Sequence, residues 1–542
     1  MSHPRTFCVS KLGYGLTMIL LVSCLTGCSS IKYWWNNNAK IGPNYTAPGS
    51  PMAAAYTDSR QDLIKVDSQL EARWWTVFND PDLNLLVESV FAENLTLKSV
   101  AWRIAESRAQ RNIAAANLFP QSQAATGSYV HNQSSTNADG FAPFIPITTD
   151  NWSVGFDAAW ELDLWGRIRR SIDSADANYQ ANVADYDSIL ITLIGDITSL
   201  YVNVRSLDER LQLAKKNIES LRGSLDIAQQ RFDAGRTSKL DVVQAESNLA
   251  ATEALVPQLE LAQRQSLNAM AVLLGVPPSE IGFLSDEGGI LPEVPSSAIV
   301  GIPAELLTRR PDIRAAERRL ASQFEQIGIA EAELYPTFTI SGNLGFQAAK
   351  ASDLIQSGSY NGNIAPGFRW NILNYGRLRN GVRVEQARVN QLCFDFQNQV
   401  LVAQQEVEDG IVEFIKNSER LVYDRKSERA IRESLDLSLA EYKEGKIDFG
   451  RVFVVQSNLV QAQDQVVVTR ANIALGLIAT YKALGGGWEI RCSENGGMEA
   501  VEESIVTMAN PADLNLSSAS NEASEVSSDM PREPINAGLI QE

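Results

Sequence analysis

Two histidines and five cysteines leave this chain of 542 residues a small catalytic vocabulary. His3, Cys8 and Cys24 fall in a leader. Arg5 and Lys11 supply positive charge, Leu12 to Leu25 is mostly apolar, and the stretch ends Leu25-Thr26-Gly27-Cys28. Residues 1–27 are expected to leave as a signal peptide and Cys28 to become the acylated first residue, because the four residues match a bacterial lipoprotein box. Cys24, closing LVSC, fits the box as well but leaves a shorter apolar run. Two or three acyl chains, at about 0.8 kcal/mol per buried methylene, anchor firmly. Ordinary signal cleavage beside an incidental cysteine is the alternative. Beyond Cys28 only Cys393, Cys492 and His131 remain. That set offers no disulfide framework, no Cys/His metal site and no triad that uses histidine. No G-x-S-x-G, phosphate loop or dinucleotide fingerprint is present, and no carboxylate pair stands out. The expectation is no enzyme, no cofactor and no metal. A net charge of -18 argues against nucleic acid, which calls for a basic face.

Self-similarity organises the rest. RFDAGRTSKLDVVQAESNL (231–249) reappears as EYKEGKIDFGRVFVVQSNL (441–459). ELDLWGRIRRS matches NILNYGRLRNG at the same offset of 210, setting Gly166 over Gly376 and Gly235 over Gly445. AVLLG and YKALG end at Gly275 and Gly485, again 210 apart. Upstream, NLFPQ and ELYPT match at 216, so the six-residue difference lies between Pro120 and Gly166. The chain is a tandem duplication. An N-terminal arm (28–74) precedes a first repeat (75–275), a Pro/Gly-rich linker (276–302) and a second repeat (303–488). Residues 489–542 hold eleven acids against Arg491 and Arg532 and few apolar residues, a composition expected to stay disordered.

Each repeat carries period-2 segments. In NWSVGFDAAWEL the even positions Trp152, Val154, Phe156, Ala158, Trp160 and Leu162 are apolar, and the odd ones include Ser153, Asp157 and Glu161. PTFTISGNLGFQ alternates through Phe338, Ile340, Leu344 and Phe346, and NIAPGFRWNIL through Ile364, Phe368, Trp370 and Ile372. QSQAATGSYVH (121–131) is assigned mainly by the repeat. Strict alternation gives each strand one apolar face. Trp152 and Trp160 share that face eight residues apart, roughly 26 Å at 3.3 Å per residue, and Phe338 and Phe346 keep the same spacing. An apolar band of about 25 Å edged by aromatics suits lipid; a half-buried strand of a soluble sandwich is the other reading. Four strands cannot close a barrel, and open edges are not tolerated in lipid. Eight strands leave an interior filled by side chains, so three copies and twelve strands are expected.

The helices are long. No proline occurs from 147 to 256 or from 367 to 510. Leu190, Leu193, Ile197, Leu200, Val204, Leu207, Leu211, Ala214, Ile218, Leu221, Leu225, Ala228 and Phe232 follow 3-4 spacing, a coiled-coil seam. A helix from Arg167 to Ala234 spans roughly 100 Å. Asn417, Asp424 and Glu428 interrupt the equivalent seam in the second repeat. Gly235 and Gly445 break each long helix, and another begins near Ser238 and Asp448, so each repeat is a helical hairpin.

IGPNYTAP (41–48), RWWTVFNDPDLNLLV (73–87), LWGRIRRS, RFDAGRTSKLDV, RRPDIRAAERRLA (309–321) and YKALGGGW (481–488) together resemble the TolC-like outer-membrane efflux proteins, in the NodT-type lipoprotein branch of tripartite RND multidrug systems. The resemblance covers about residues 28–488. It implies a mainly α fold with a small β part: a homotrimer with a twelve-stranded transmembrane barrel, an equatorial belt and a periplasmic tunnel of coiled-coil hairpins. It further implies a passive conduit that exports drugs or other small molecules, working with a periplasmic adaptor (membrane fusion protein) and an inner-membrane RND-type transporter. Ser29 after Cys28 suits sorting to the outer membrane of a Gram-negative bacterium, with outer-membrane lipid around the barrel. A type I protein-secretion channel is the neighbouring alternative, and a lipid-anchored coiled-coil scaffold without a pore is the alternative of another class.

The resemblance also places a periplasmic gate at the hairpin tips. Counted from the turn glycines, the candidates are Asp241 and Gln244 in the first repeat, and Tyr442, Arg451 and Val454 in the second. Val454 stands where an acid is common and Gly450 where a bulky apolar residue is common. Under pseudo-sixfold symmetry Asp241 and Arg451 would alternate around the tip, and weak ion pairs of about 0 to 1 kcal/mol would hold it shut. Alternatively, Ser238-Lys-Leu-Asp241 is a capping box and Asp448 an N-cap.

Overall fold

The 210-residue period of the sequence is a period of structure. In the computed structural model, which describes residues 34–57, 63–66, 72–135, 148–280, 289–295, 297–300 and 309–493, helix α3 (Arg167–Asp233) and helix α7 (Arg377–Lys443) are both 67 residues long and begin 210 residues apart. Helix α2 (Leu95–Ala116) and helix α6 (Pro311–Ala332) are both 22 residues and stand 216 apart, reproducing the second offset. The leader with Cys28 and everything after Ser493 lie outside the described residues.

Each long helix starts and stops on a glycine in the left-handed region. Gly166 and Gly376 are the N-caps at φ +80° and +85°, and Gly235 and Gly445 follow the C-termini at +67° and +78°. Glycine enters this conformation without the Cβ penalty and satisfies the last carbonyls. The returning helices differ. In the second repeat α8 (Phe449–Ala483) runs 35 residues unbroken. In the first it is split into α4 (Lys239–Glu253) and α5 (Leu255–Leu274) at Ala254. Pro257 is the cause: it lacks an N–H and its ring meets the carbonyl four residues back, that of Glu253. Its repeat partner, Val467, imposes no such break.

The seam predicted on α3 is buried over most of its length, from Leu190 through Ile197, Val204 and Leu211 to Ala228. On α7 no residue between Ile415 and Leu435 is buried, where Asn417, Asp424 and Glu428 interrupt the pattern. One cluster shows the replacement. Leu207, Leu211, Ala214 and Leu259 pack together in the first repeat, and their partners are Asn417, Leu421, Asp424 and Thr469, with Thr469 Oγ1 donating to Asp424 at 2.7 Å. Nearer the strands α7 and α8 touch backbone to backbone. A Cβ on Gly410 would lie 2.8 Å from the Thr480 amide nitrogen, and one on Gly476 2.8 Å from that of Phe414. Gly476→Val should therefore cost roughly 1–3 kcal/mol by overpacking. The check is the heat-unfolding midpoint followed by far-UV circular dichroism, expected to fall by several degrees.

Strands β2 (Ser122–Gln133), β3 (Thr148–Leu162), β5 (Thr337–Ala348) and β6 (Tyr360–Arg369) form one antiparallel sheet in the order β2-β3-β5-β6. Its register aligns the apolar positions: Phe156 faces Leu344, Trp160 faces Ile340, and Phe338 faces Phe368. Phe156, Leu344, Ile364 and Phe368 are exposed on that face. The other face carries a polar ladder in which Thr126 bonds Asp157, Ser128 meets Ser153 and Gln347 donates to Asn151. β6 stops at Arg369, short of the predicted Leu373, because the chain turns on an Ile372 N–H to Trp370 carbonyl bond. Trp160 Nε1 donates to the Leu118 carbonyl and Trp370 Nε1 to the Leu334 carbonyl, each at 3.0 Å. The two indoles are 210 apart and their acceptors 216, so both offsets meet at one repeated contact. Trp152 packs on Tyr129 at 4.4 Å, and Phe346 meets Tyr360.

A second, two-stranded sheet pairs β1 (Ile64–Val66) with β4 (Ala298–Val300) in parallel, tying the N-terminal arm to the linker. Three-residue strands carry no measurable alternation, so this pairing leaves no signal in the sequence.

Candidate gate at the hairpin tips

The phrases that carry the family resemblance touch one another. RWWTVF meets ALGGGW: Trp74 is 2% exposed, stacks on Tyr481 at 5.6 Å and donates its Nε1 to the Gly486 carbonyl at 3.2 Å. RRPD meets the same turn through Arg310, which bonds Asp312, Glu406 and the Ala483 carbonyl. IGPNY meets RIRRS through Arg170, whose guanidinium donates to the carbonyls of Ile41, Gly42 and Pro43 and to Glu325. Tyr45 Oη reaches Glu317 at 2.8 Å.

RFDAGRTSKLDV meets EYKEGKIDF at the tips. Ala228, Val242 and Ala245 from the first hairpin pack with Leu435, Tyr442, Phe449 and Val452 from the second. Tyr442 is the hub. Its ring meets Phe449 edge-on at 5.3 Å, with Arg231 over it at 4.7 Å. Its hydroxyl donates to Asp241 Oδ2 at 3.0 Å, and Thr237 Oγ1 donates to the same oxygen. Arg231 Nη1 donates to the carbonyls of Tyr442 and Lys443, at 2.6 and 2.7 Å. A cation thus sits on the negative end of α7, where it also satisfies orphan acceptors. Burial first, and then the bond to Asp241, push the Tyr442 hydroxyl above its ordinary value of 10.0, so it stays a donor at neutral pH. Deeper in, Gln456 Nε2 donates to Ser224 and Ser457 Oγ to Asn248, further ties between the two repeats.

Of the gate candidates, Asp241 and Tyr442 are brought together within one chain. Gln244 lies across from Gly450, where a Cβ would be 3.9 Å from the Gln244 amide. Arg451 and Val454 are exposed and outside the cluster. Asp448 is an N-cap, its Oδ1 accepting from the Arg451 N–H at 3.2 Å. Ser238 occupies the N-cap of α4 without a side-chain bond, so no capping box forms there; Thr237 takes up Asp241 instead. Arg231 and Thr237 are not among the residues that the count from the turn glycines picks out. A basic residue in the last turn of a helix was the available signal for Arg231.

The outer membrane efflux protein family matches the chain twice, over residues 86–276 and 302–486. Nodulation protein T of Rhizobium leguminosarum bv. trifolii is 31% identical over 447 residues, 80% of this chain and 90% of that protein. The pyoverdine export outer membrane protein OpmQ of Pseudomonas putida is 29% identical, covering 78% and 90%. The solved outer-membrane channel OprN superposes with a TM-score of 0.78 at 33% identity, over 83% of this chain and 99% of that one. With both repeats matched and the fold shared along almost the full length of a solved channel, the chain belongs to the outer membrane efflux protein family and is an outer-membrane efflux channel.

Proposed function

We propose that three copies close a twelve-stranded barrel continued by a helical tunnel, and that this passive conduit carries small molecules outward. One observation carries the reading: a four-stranded sheet whose edges, β2 and β6, have no strand partner among the described residues, and whose apolar face is exposed. Unpaired backbone groups cannot stay in lipid, and identical copies joining β6 of one to β2 of the next remove both edges. Trp152, Trp160, Phe338, Phe346 and Trp370 then sit on the outward face as interfacial aromatics, and Cys28 anchors the arm by its acyl chains. The polar face with Asp157 lines water.

The tip cluster holds the tunnel shut through Asp241, Tyr442 and Arg231, with Gln244 beside it. Arg451 and Val454, exposed in one chain, meet the neighbouring copy. A periplasmic adaptor docks at the tips and loosens them, and an inner-membrane RND-type transporter supplies energy and selects cargo. The test is the detergent-extracted full chain. A heat-dissociable trimer that conducts ions in planar bilayers is expected; a monodisperse, non-conducting monomer would overturn the proposal.

A further inference from the structure

A cavity of about 720 Å³ opens between α3, α7 and α8, bordered by Gly289 and Ile290 of the linker. Five cations line it, Lys216, Arg425, Arg429, Arg432 and Arg470, against the carboxylates Glu209 and Glu428. Both carboxylates are engaged: Glu209 Oε1 accepts from Arg470 at 2.6 Å, and Glu428 pairs with Arg432. Lys216 and Arg425 have no side-chain partner among the described residues, and Arg429 uses only Nε, on the Arg425 carbonyl at 3.3 Å. Three cationic heads therefore retain free donors around one cavity.

The cavity also holds unused acceptors. Gln463 is 7% exposed, and its Oε1 is buried without a hydrogen bond. Glu209 Oε2 is likewise buried and unpaired. A ligand donor placed there would satisfy both acceptors. The repeat sharpens the contrast. The first-repeat counterparts of Arg425, Arg429, Arg432 and Arg470 are Lys215, Glu219, Arg222 and Glu260, a balanced set. Four of the five cations come from the second repeat and Lys216 from the first, at the level where the second repeat's apolar seam is replaced by Asn417, Asp424 and Thr469.

We propose that this cavity binds a small hydroxylated polyanion, a hydroxycarboxylate or a phosphomonoester. Lys216, Arg425 and Arg429 take the anionic oxygens, and a ligand hydroxyl donates to Glu209 Oε2 or Gln463 Oε1. The site is independent of the tip cluster and of barrel closure.

The experiment is calorimetric titration and thermal unfolding of the detergent-purified full chain with citrate and with inorganic phosphate, against chloride at matched ionic strength. Saturable binding by either anion with a raised unfolding midpoint is expected. Citrate alone saturating assigns the hydroxycarboxylate class, and phosphate alone the phosphate class. Lys216→Gln/Arg425→Gln should weaken binding at least tenfold with the unliganded midpoint preserved, because both side chains are exposed. Tricarballylate, which is citrate without the hydroxyl, should bind at least tenfold more weakly. A shift that chloride reproduces, equal binding by the double variant, or, where citrate binds, equal binding of tricarballylate overturns the proposal.

Discussion

Channels carrying Tyr442→Phe are expected to open at least tenfold more often than the parent in planar bilayers. The substitution keeps the ring, its edge contact with Phe449 and the Arg231 guanidinium above it. It removes only the hydroxyl that reaches Asp241 Oδ2 at 3.0 Å. That bond joins the first hairpin to the second, so any opening that parts them must break it, once per copy. A hydrogen bond to a charged group contributes about 1.5–3 kcal/mol, and about 1.4 kcal/mol is a factor of ten; one lost bond suffices for the expected change. Asp241→Ala removes the acceptor of both Tyr442 and Thr237 and should open the channel further. The hydroxyl also sets a pH dependence. Its folded value is raised above 10.0, so the contribution is fully present below pH 10 and is lost as pH rises through the folded value. Parent channels are expected to open above pH 10, and Tyr442→Phe channels to show no such transition. If both variants stay as closed as the parent, the cluster is packing and not a gate.

The sequence made the periodic features legible because period is a backbone property. Alternation at Trp152 to Leu162 and 3-4 spacing from Leu190 to Phe232 each follow from the geometry of one element, and the duplicated glycines mark where an element must end. The break at Ala254 follows from Pro257 alone. Contacts between distant phrases were illegible for the opposite reason. That Arg170 reaches Ile41, or Trp74 the Gly486 carbonyl, depends on how elements more than 100 residues apart are brought together, and neither residue breaks any local pattern. The tip shows the boundary between the two. The turn-glycine count placed Asp241 and Tyr442 at the same level, yet it could not say that Asp241 turns inward to Tyr442 within one chain. The side of a helix that meets a sister hairpin is decided by packing at Phe449 and Val452, not by spacing. Likewise, the interrupted seam at Asn417, Asp424 and Glu428 was visible as a weakness, whereas the cationic cavity beside it needed three helices in place.

Replacing Arg170 by Met should loosen the N-terminal arm and cost about 3–5 kcal/mol, the range for breaking a buried ion pair from one side. Arg170 is 1% exposed. It donates to the carbonyls of Ile41, Gly42 and Pro43 at 2.6, 2.8 and 2.9 Å, and to Glu325 at 2.5 Å. Gly328 on α6 exists for this side chain: a Cβ there would stand 2.1 Å from Arg170 Cδ. Methionine fills similar volume, so the loss is of donors rather than of packing. The carbonyls of Ile41 and Pro43 then lose the Arg170 donor, Gly42 keeps only the 3.3 Å bond from Asn37 Nδ2, and Glu325 is left as an unpaired, largely buried acid. Burial already pushes the Glu325 carboxyl above its usual range even with Arg170 beside it. Without that cation it rises further, and a folded-state value above the unfolded one means stability is lost as pH climbs. The deficit of Arg170→Met is therefore expected to be larger at pH 8 than at pH 5. The direct readout is trypsin cleavage after Lys40, whose ammonium lies 2.7 Å from Asp173 in the ordered arm. The variant should be cut there several-fold faster and Arg170→Lys to an intermediate degree, since an ammonium can serve Glu325 but not three carbonyls together. Equal cleavage and equal unfolding midpoints in parent and Arg170→Met would show that the arm is held by something other than this guanidinium.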